Sequence, residues 1–193
     1  KKKFLVREVE YDVFNKKGAP IPPQVCADYV FDVWERAFGT WYVSKNEQPS
    51  RKQGVVDFSQ IQGLNRRHIA SVLDYSIQSE TTSPFERYDI PRRNWVPLKS
   101  MRRFVINLLR FKAKYREGDI LVIHGLRDED EKEHFHTVNI LETDPITGFP
   151  TVVTDNQGRP RITSLKTAMR SAPRRSIKYI LRIHPKLNNS SQI

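Results

Sequence analysis

Glu133-His134-Phe135-His136-Thr137-Val138-Asn139-Ile140-Leu141 has a side-chain period of two. That period puts His134 and His136 on one face of a strand with Val138 and Ile140. Upstream, Gly118-Asp119-Ile120-Leu121-Val122 opens a first extended run over Asp119 to His124. Strands are expected again at Phe135 to Glu142, Thr151 to Thr154 and Ser176 to His184, separated by Gly-, Pro- and Asp-rich turns. The second half of the chain therefore predicts a small antiparallel sheet.

The first half is helical in pattern. Two adjacent prolines in Gly18-Ala19-Pro20-Ile21-Pro22-Pro23 disfavour helix in what precedes them and remove two backbone donors. From Gln24 to about Phe38, the residues Cys26, Tyr29, Val30, Val33, Trp34 and Ala37 recur at steps of three and four, with Asp28, Asp32, Glu35 and Arg36 opposite. An amphipathic helix ending at Gly39 follows from this spacing. The polar stretch Ser44 to Gly54 predicts an exposed loop. A second helix is expected from about Asp57 or Gly63 through Ile77, and the Ser79 to Pro97 stretch breaks it. A third, from Leu98 to Tyr115, carries Lys or Arg at 99, 102, 103, 110, 112 and 114, so its outer face is basic. Helices followed by strands predict an α+β domain rather than alternating βαβ units. Residues 1 to 193 are expected to form one domain, with 1 to 20 as an N-terminal extension of ambiguous type.

Hydrophobic residues at 38% and charged residues at 28% give a globular balance and exclude a disordered chain. Thirty-three Lys and Arg against 22 Asp and Glu leave a net charge of +11, which suits an anionic partner: nucleic acid, an acidic membrane or an acidic cell-wall polymer. The longest apolar run is too short to cross a bilayer as a helix. A start at Lys1-Lys2-Lys3 rather than Met fits either a removed signal peptide or a trimmed chain, and the first of these predicts a periplasmic or secreted protein.

One cysteine cannot form an internal disulfide, and a lone Cys with histidines elsewhere is a candidate nucleophile. Cys26 falls in the first turn of its helix, where unpaired backbone N–H groups and the helix dipole favour a thiolate. Those same N–H groups are placed to hold an oxyanion. The alternative is a small apolar residue on the buried face. Among the five histidines, His136 lies next to the apolar run and is the expected base, with His134 nearer the acidic segment Asp128-Glu129-Asp130-Glu131 and expected to be exposed. A third polar group must orient the imidazole, and Asp155 and Asn156, at the end of the strand after His136, are the candidates. Ordinary turn chemistry is the competing reading of Asp155-Asn156-Gln157-Gly158.

A helix-borne Cys26, an intervening helical region, Gly118-Asp119-Ile120-Leu121-Val122 opening a sheet, and His136 on the next strand together resemble the NlpC and CHAP branches of the papain-like superfamily. The resemblance spans about residues 20 to 160 by order of elements. It implies a papain-like fold and a Cys–His–(Asp/Asn) hydrolase acting on peptide or amide bonds, many of them in peptidoglycan. It implies Cys26 as nucleophile, His136 as base and Asp155 or Asn156 as the third group, with no cofactor.

Two other readings stand beside it. A basic nucleic-acid-binding module without catalysis is suggested by the charge and by aromatics among basic residues, as in Arg92-Arg93-Asn94-Trp95 and Arg102-Arg103-Phe104. A metal site is suggested by His124, His134 and His136, because a His-x-His step puts two imidazoles on one strand face.

Overall fold

The computed structural model of the chain describes residues 3–6, 9–12, 26–37, 41–43, 49–51, 68–78, 85–126, 131–157, 160–170 and 173–183. The expected proline break at 20–23, the start of the second helix before residue 68 and most of the acidic segment 127–130 lie outside them. The chain divides into two compact units, one comprising Lys1–Phe85, Asn156–Pro160 and Ile183–Ile193, the other Glu86–Asp155 and Arg161–Arg182.

In the first unit, β1 (Lys3–Val6) pairs antiparallel with β2 (Val9–Asp12). Helix α1 (Cys26–Ala37) begins at the cysteine. Ala27, Val30, Phe31 and Trp34 are buried at the i, i+3, i+4, i+7 spacing of one helical face. Phe31 and Trp34 meet edge to face with ring centroids 5.7 Å apart, the geometry their quadrupoles favour. Asp28, expected on the solvent side, is buried instead, one position from Ala27 and within the first turn where the helix dipole favours an anion. Strands β3 (Trp41–Val43) and β4 (Pro49–Arg51) form a second small antiparallel pair, so the stretch expected as a loop carries a short strand. Helix α2 (Ile69–Gln78) buries Ile69, Val72, Leu73 and Ser76, whose hydroxyl donates to the Leu73 carbonyl. Ile77 points away and is exposed, because it sits about a quarter turn off that face.

The second unit is built on a six-stranded sheet. Its members are β5 (Phe85–Asp89), β6 (Ile120–Leu126), β7 (Glu133–Thr143), β8 (Pro150–Asn156), β9 (Pro160–Ser164) and β10 (Ser176–Ile183), in the order β5-β10-β6-β7-β8-β9. β10 with β6, β6 with β7, and β7 with β8 pair antiparallel, which gives the expected sheet and an α+β architecture. Helices α3 (Met101–Arg110) and α4 (Leu165–Arg170) bury Phe104, Leu108, Leu165, Ala168 and Met169 in a core with Leu121, Ile123, Val138, Ile140 and Val153 of the strands. Met101 and Leu109 are exposed. The expected helix from Leu98 to Tyr115 is divided into α3 flanked by 3-10 turns at Leu98–Ser100 and Lys112–Lys114. Alternate strand residues Ile120, Val122, Thr137, Asn139, Thr154 and Leu181 are buried on the other pleat face, so β6 and β7 lack a solvated side.

A buried ion pair anchors one end of this sheet. The Arg182 guanidinium donates from Nε to Asp119 Oδ1 (2.8 Å) and from Nη2 to Asp119 Oδ2 (2.7 Å), with further bonds to the Lys114 carbonyl and the Tyr88 hydroxyl. Gly118, with φ +87°, makes the turn that brings Asp119 there, a conformation that disfavours any residue with a Cβ.

Ile140 has no exposed surface, so Ile140→Ala should lower unfolding free energy by about 2–5 kcal/mol. Ile162→Ala, at a side chain 69% exposed, should change it by less than about 0.5 kcal/mol. Chemical denaturation of both variants checks the pair.

Candidate functional site

His136, Asp155 and Arg161 stand on three consecutive strands of the sheet, β7, β8 and β9. His136 shares its pleat face with Val138 and Ile140 and pairs in register with Ile123 of β6. It is 3% exposed, and Asp155 is fully buried. His136 Nε2 lies 2.7 Å from Asp155 Oδ1, while Arg161 donates from Nε (2.9 Å) and Nη2 (2.7 Å) to Asp155 Oδ2. One carboxylate oxygen thus serves the imidazole and the other the guanidinium.

Burial alone would push the Asp155 carboxyl up, but the hydrogen bonds from His136 and Arg161 and their charges outweigh it, holding the group below its ordinary value. Asp155 is therefore ionised and can only accept. His136 Nε2 must carry the proton, which leaves the lone pair on Nδ1. A strand-fixed imidazole in that tautomer is chemically suited to take a proton at Nδ1, because the adjacent carboxylate stabilises the imidazolium that results.

Of the two candidates for the third group, Asp155 is the one bonded to His136. Asn156 is the next residue along β8, is buried, and by strand alternation projects to the other pleat face. Cys26 opens α1 in the first unit and is half-buried. Arg161 was not legible as a site residue; β9 lies beside β8 in the sheet, and that neighbourhood brings residue 161 to residue 155.

The other two histidines of the sheet have cationic partners. His124 Nδ1 accepts from Lys178 Nζ (2.9 Å), and its ring stacks on Phe135 with centroids 3.9 Å apart. His134 Nδ1 accepts from Arg175 Nη1 (2.8 Å), so His134 is half-buried rather than exposed as expected. Lys178 lies 4.0 Å above the Trp95 ring. Burial and then the Lys178 charge pull the His124 imidazole below its ordinary value, and burial does the same to Lys178. With cations donating into two of the three rings, the His124–His134–His136 set does not assemble as ligands. Among the described residues no group of three or more His, Cys, Asp or Glu could hold a metal ion.

The Asp155 carboxylate makes acid stability a direct readout of this row. Its folded value lies below the unfolded 3.8, so its contribution is fully present above that pH and is lost as pH falls through the lowered folded value. Asp155→Asn should destabilise the protein by about 2 kcal/mol at neutral pH, the scale of hydrogen bonds to a charged group. The gap between wild type and variant should shrink below pH 3.8, read from denaturation midpoints across an acid series.

The chain matches no protein-family model, no curated protein and no solved structure.

Proposed function

We propose that this protein is a papain-like thiol hydrolase of the NlpC and CHAP kind, in which Cys26 is the nucleophile and His136, held by Asp155, its base. The observation that carries the reading is the 2.7 Å bond between His136 Nε2 and a fully buried Asp155. It sets the tautomer that a cysteine hydrolase needs, with Nδ1 as the basic nitrogen. The start of α1 at Cys26 supports the second half, since first-turn N–H groups and the helix dipole favour a thiolate there.

The reaction is acyl transfer in two halves. His136 Nδ1 takes the thiol proton, and the sulfur attacks the carbonyl carbon of a peptide or amide bond. Negative charge gathers on the carbonyl oxygen, where the α1 N-terminal N–H groups receive it. The tetrahedral intermediate collapses by breaking the C–N bond, and His136 Nδ1–H protonates the departing amine. Water, deprotonated by the same nitrogen, then attacks the thioester, releasing the acid and restoring the thiol. Asp155 stabilises the imidazolium throughout, and Arg161 keeps Asp155 ionised. The substrate class is peptide or amide bonds, with peptidoglycan stem peptides first, in the periplasm or outside the cell.

A nucleic-acid-binding module is the other reading of the same chain, and the fate of the aromatics weighs against it. Trp95 donates its indole N–H to the Ile90 carbonyl and lies under Lys178, while Phe104 and Tyr115 are core residues. Sequence-tolerant nucleic-acid binding calls for exposed rings on which bases stack.

Cys26→Ser should fold normally and lose about 10³-fold or more of the hydrolysis of purified peptidoglycan or peptide amides, followed by release of new amines. Iodoacetamide should label wild-type Cys26 faster than a model thiol near neutral pH, and His136→Ala should slow that labelling. Retained hydrolysis in Cys26→Ser, or a thiol that reacts only after denaturation, defeats the reading. Arg161→Gln should lower kcat about ten-fold with little change in KM and move the acidic limb of the pH–rate profile upward, because Asp155 loses a charged partner that favours its ionised form.

A further inference from the structure

Residues 91–116 carry nine Lys or Arg and no Asp or Glu, and all nine are exposed. This segment holds most of the chain's net charge of +11. A basic surface of this density suits either a polyanion or an anionic lipid surface, and the residues between the cations distinguish the two.

On α3 the exposed arc is mixed. Phe104 and Leu108 face the core, while Ile106 and Leu109 stand outward at 40% and 41% exposure, flanked along the helix by Arg102, Arg103 and Arg110. At 100° per residue, Ile106 lies near the middle of the arc, with Arg102 and Leu109 to one side and Arg103 and Arg110 to the other. Isolated exposed apolar residues are ordinary, but two adjacent ones framed by three arginines on one helix face form a chemically composite surface. A nucleic acid or wall polymer has phosphates or carboxylates for the arginines and nothing for Ile106 and Leu109. The segment's aromatics, which would stack on bases, are turned into the core.

We propose that the outer face of α3 docks this protein onto an anionic phospholipid bilayer. The guanidiniums of Arg102, Arg103 and Arg110 meet lipid phosphates, their aliphatic stems lying along the interface. Ile106 and Leu109 enter the headgroup layer between them. Flanking cations such as Lys99 and Lys112 add long-range attraction. The surface is independent of the hydrolase reading, since it uses neither Cys26 nor His136.

The test is co-sedimentation of the full chain with vesicles of phosphatidylcholine alone or mixed with phosphatidylglycerol, alongside binding to a soluble polyanion such as heparin. Binding to the mixed vesicles but not the neutral ones is expected, weakening as salt rises toward ~1 M, where the Debye length falls to ~3 Å. The Ile106→Ser, Leu109→Ser double variant should lose about ten-fold in vesicle affinity and keep its heparin affinity. The Arg102→Gln, Arg103→Gln, Arg110→Gln triple variant should lose about a hundred-fold on vesicles. All these side chains are exposed, so the variants should fold, with circular dichroism as the check. Absence of vesicle binding overturns the proposal. Vesicle affinity unmoved by the serine variant also overturns it, and assigns the surface to an anionic polymer instead.

Discussion

A carboxylate with no access to water constrains this sheet more tightly than any apolar contact in it. Removing an ion from water carries a penalty of several kcal/mol even after the protein relaxes around it. Asp155 offsets that penalty by filling both oxygens, one with His136 and the other with two N–H groups of Arg161. The donors come from the strands on either side, so the arrangement exists only if β7, β8 and β9 keep their register. A slip of one residue would turn the side chains to the opposite pleat face and leave the charge buried among apolar groups. The hydrophobic pattern on β7 already favours one register, and the ion row adds an electrostatic reason for the same choice.

Much of this architecture was legible from period alone. The strands from β6 to β8 and β10 were visible in alternating or continuous apolar runs, and α1 in its three- and four-residue spacing. β5, β9 and α4 were not, because each is short and carries charge, as in Phe85-Glu86-Arg87-Tyr88-Asp89, so neighbours in the sheet rather than local pattern decide its state. His136 and Asp155 were legible as a pair only in the sense that consecutive strands can bring them together. The choice of Asp155 over Asn156 depends on pleat parity, which a bulge in the β7–β8 register makes unreadable from sequence. Arg175 and Lys178 are buried against His134 and His124. A charged residue on a strand between two partners has no sequence signature that separates it from one on a solvated face.

Two buried carboxylates, Asp119 and Asp155, are each paired with an arginine, and the geometry of the two pairs separates structure from chemistry. At Asp119 both oxygens are taken by one guanidinium, in the fork-to-fork arrangement that gives Arg its strongest carboxylate contact. Nothing titratable near neutral pH shares that pair, and Arg182 continues to the Lys114 carbonyl and Tyr88, tying a turn and β5 to β10. At Asp155 the guanidinium is confined to one oxygen and the second faces an imidazole. Only the second arrangement can respond to a proton.

The same reasoning chooses among the histidines. A base must accept a proton and hold it through the lifetime of an intermediate, which is favourable beside an anion and unfavourable beside a cation. Lys178 donates into His124 Nδ1 and Arg175 into His134 Nδ1, so in each ring a lone pair is already occupied by a cationic donor. Protonating that nitrogen would break the bond and set two positive charges against each other within 3 Å, at a site withdrawn from water where screening is weak. His136 has the opposite partner, a carboxylate whose interaction with the ring grows stronger when the ring becomes charged. His124 faces both signs, Lys178 at Nδ1 and the Glu133 carboxylate 3.5 Å from Nε2, whereas His136 meets the Asp155 carboxylate at Nε2. For the proposed role of His136 as base, that carboxylate is the partner the chemistry calls for, because it favours the protonated ring.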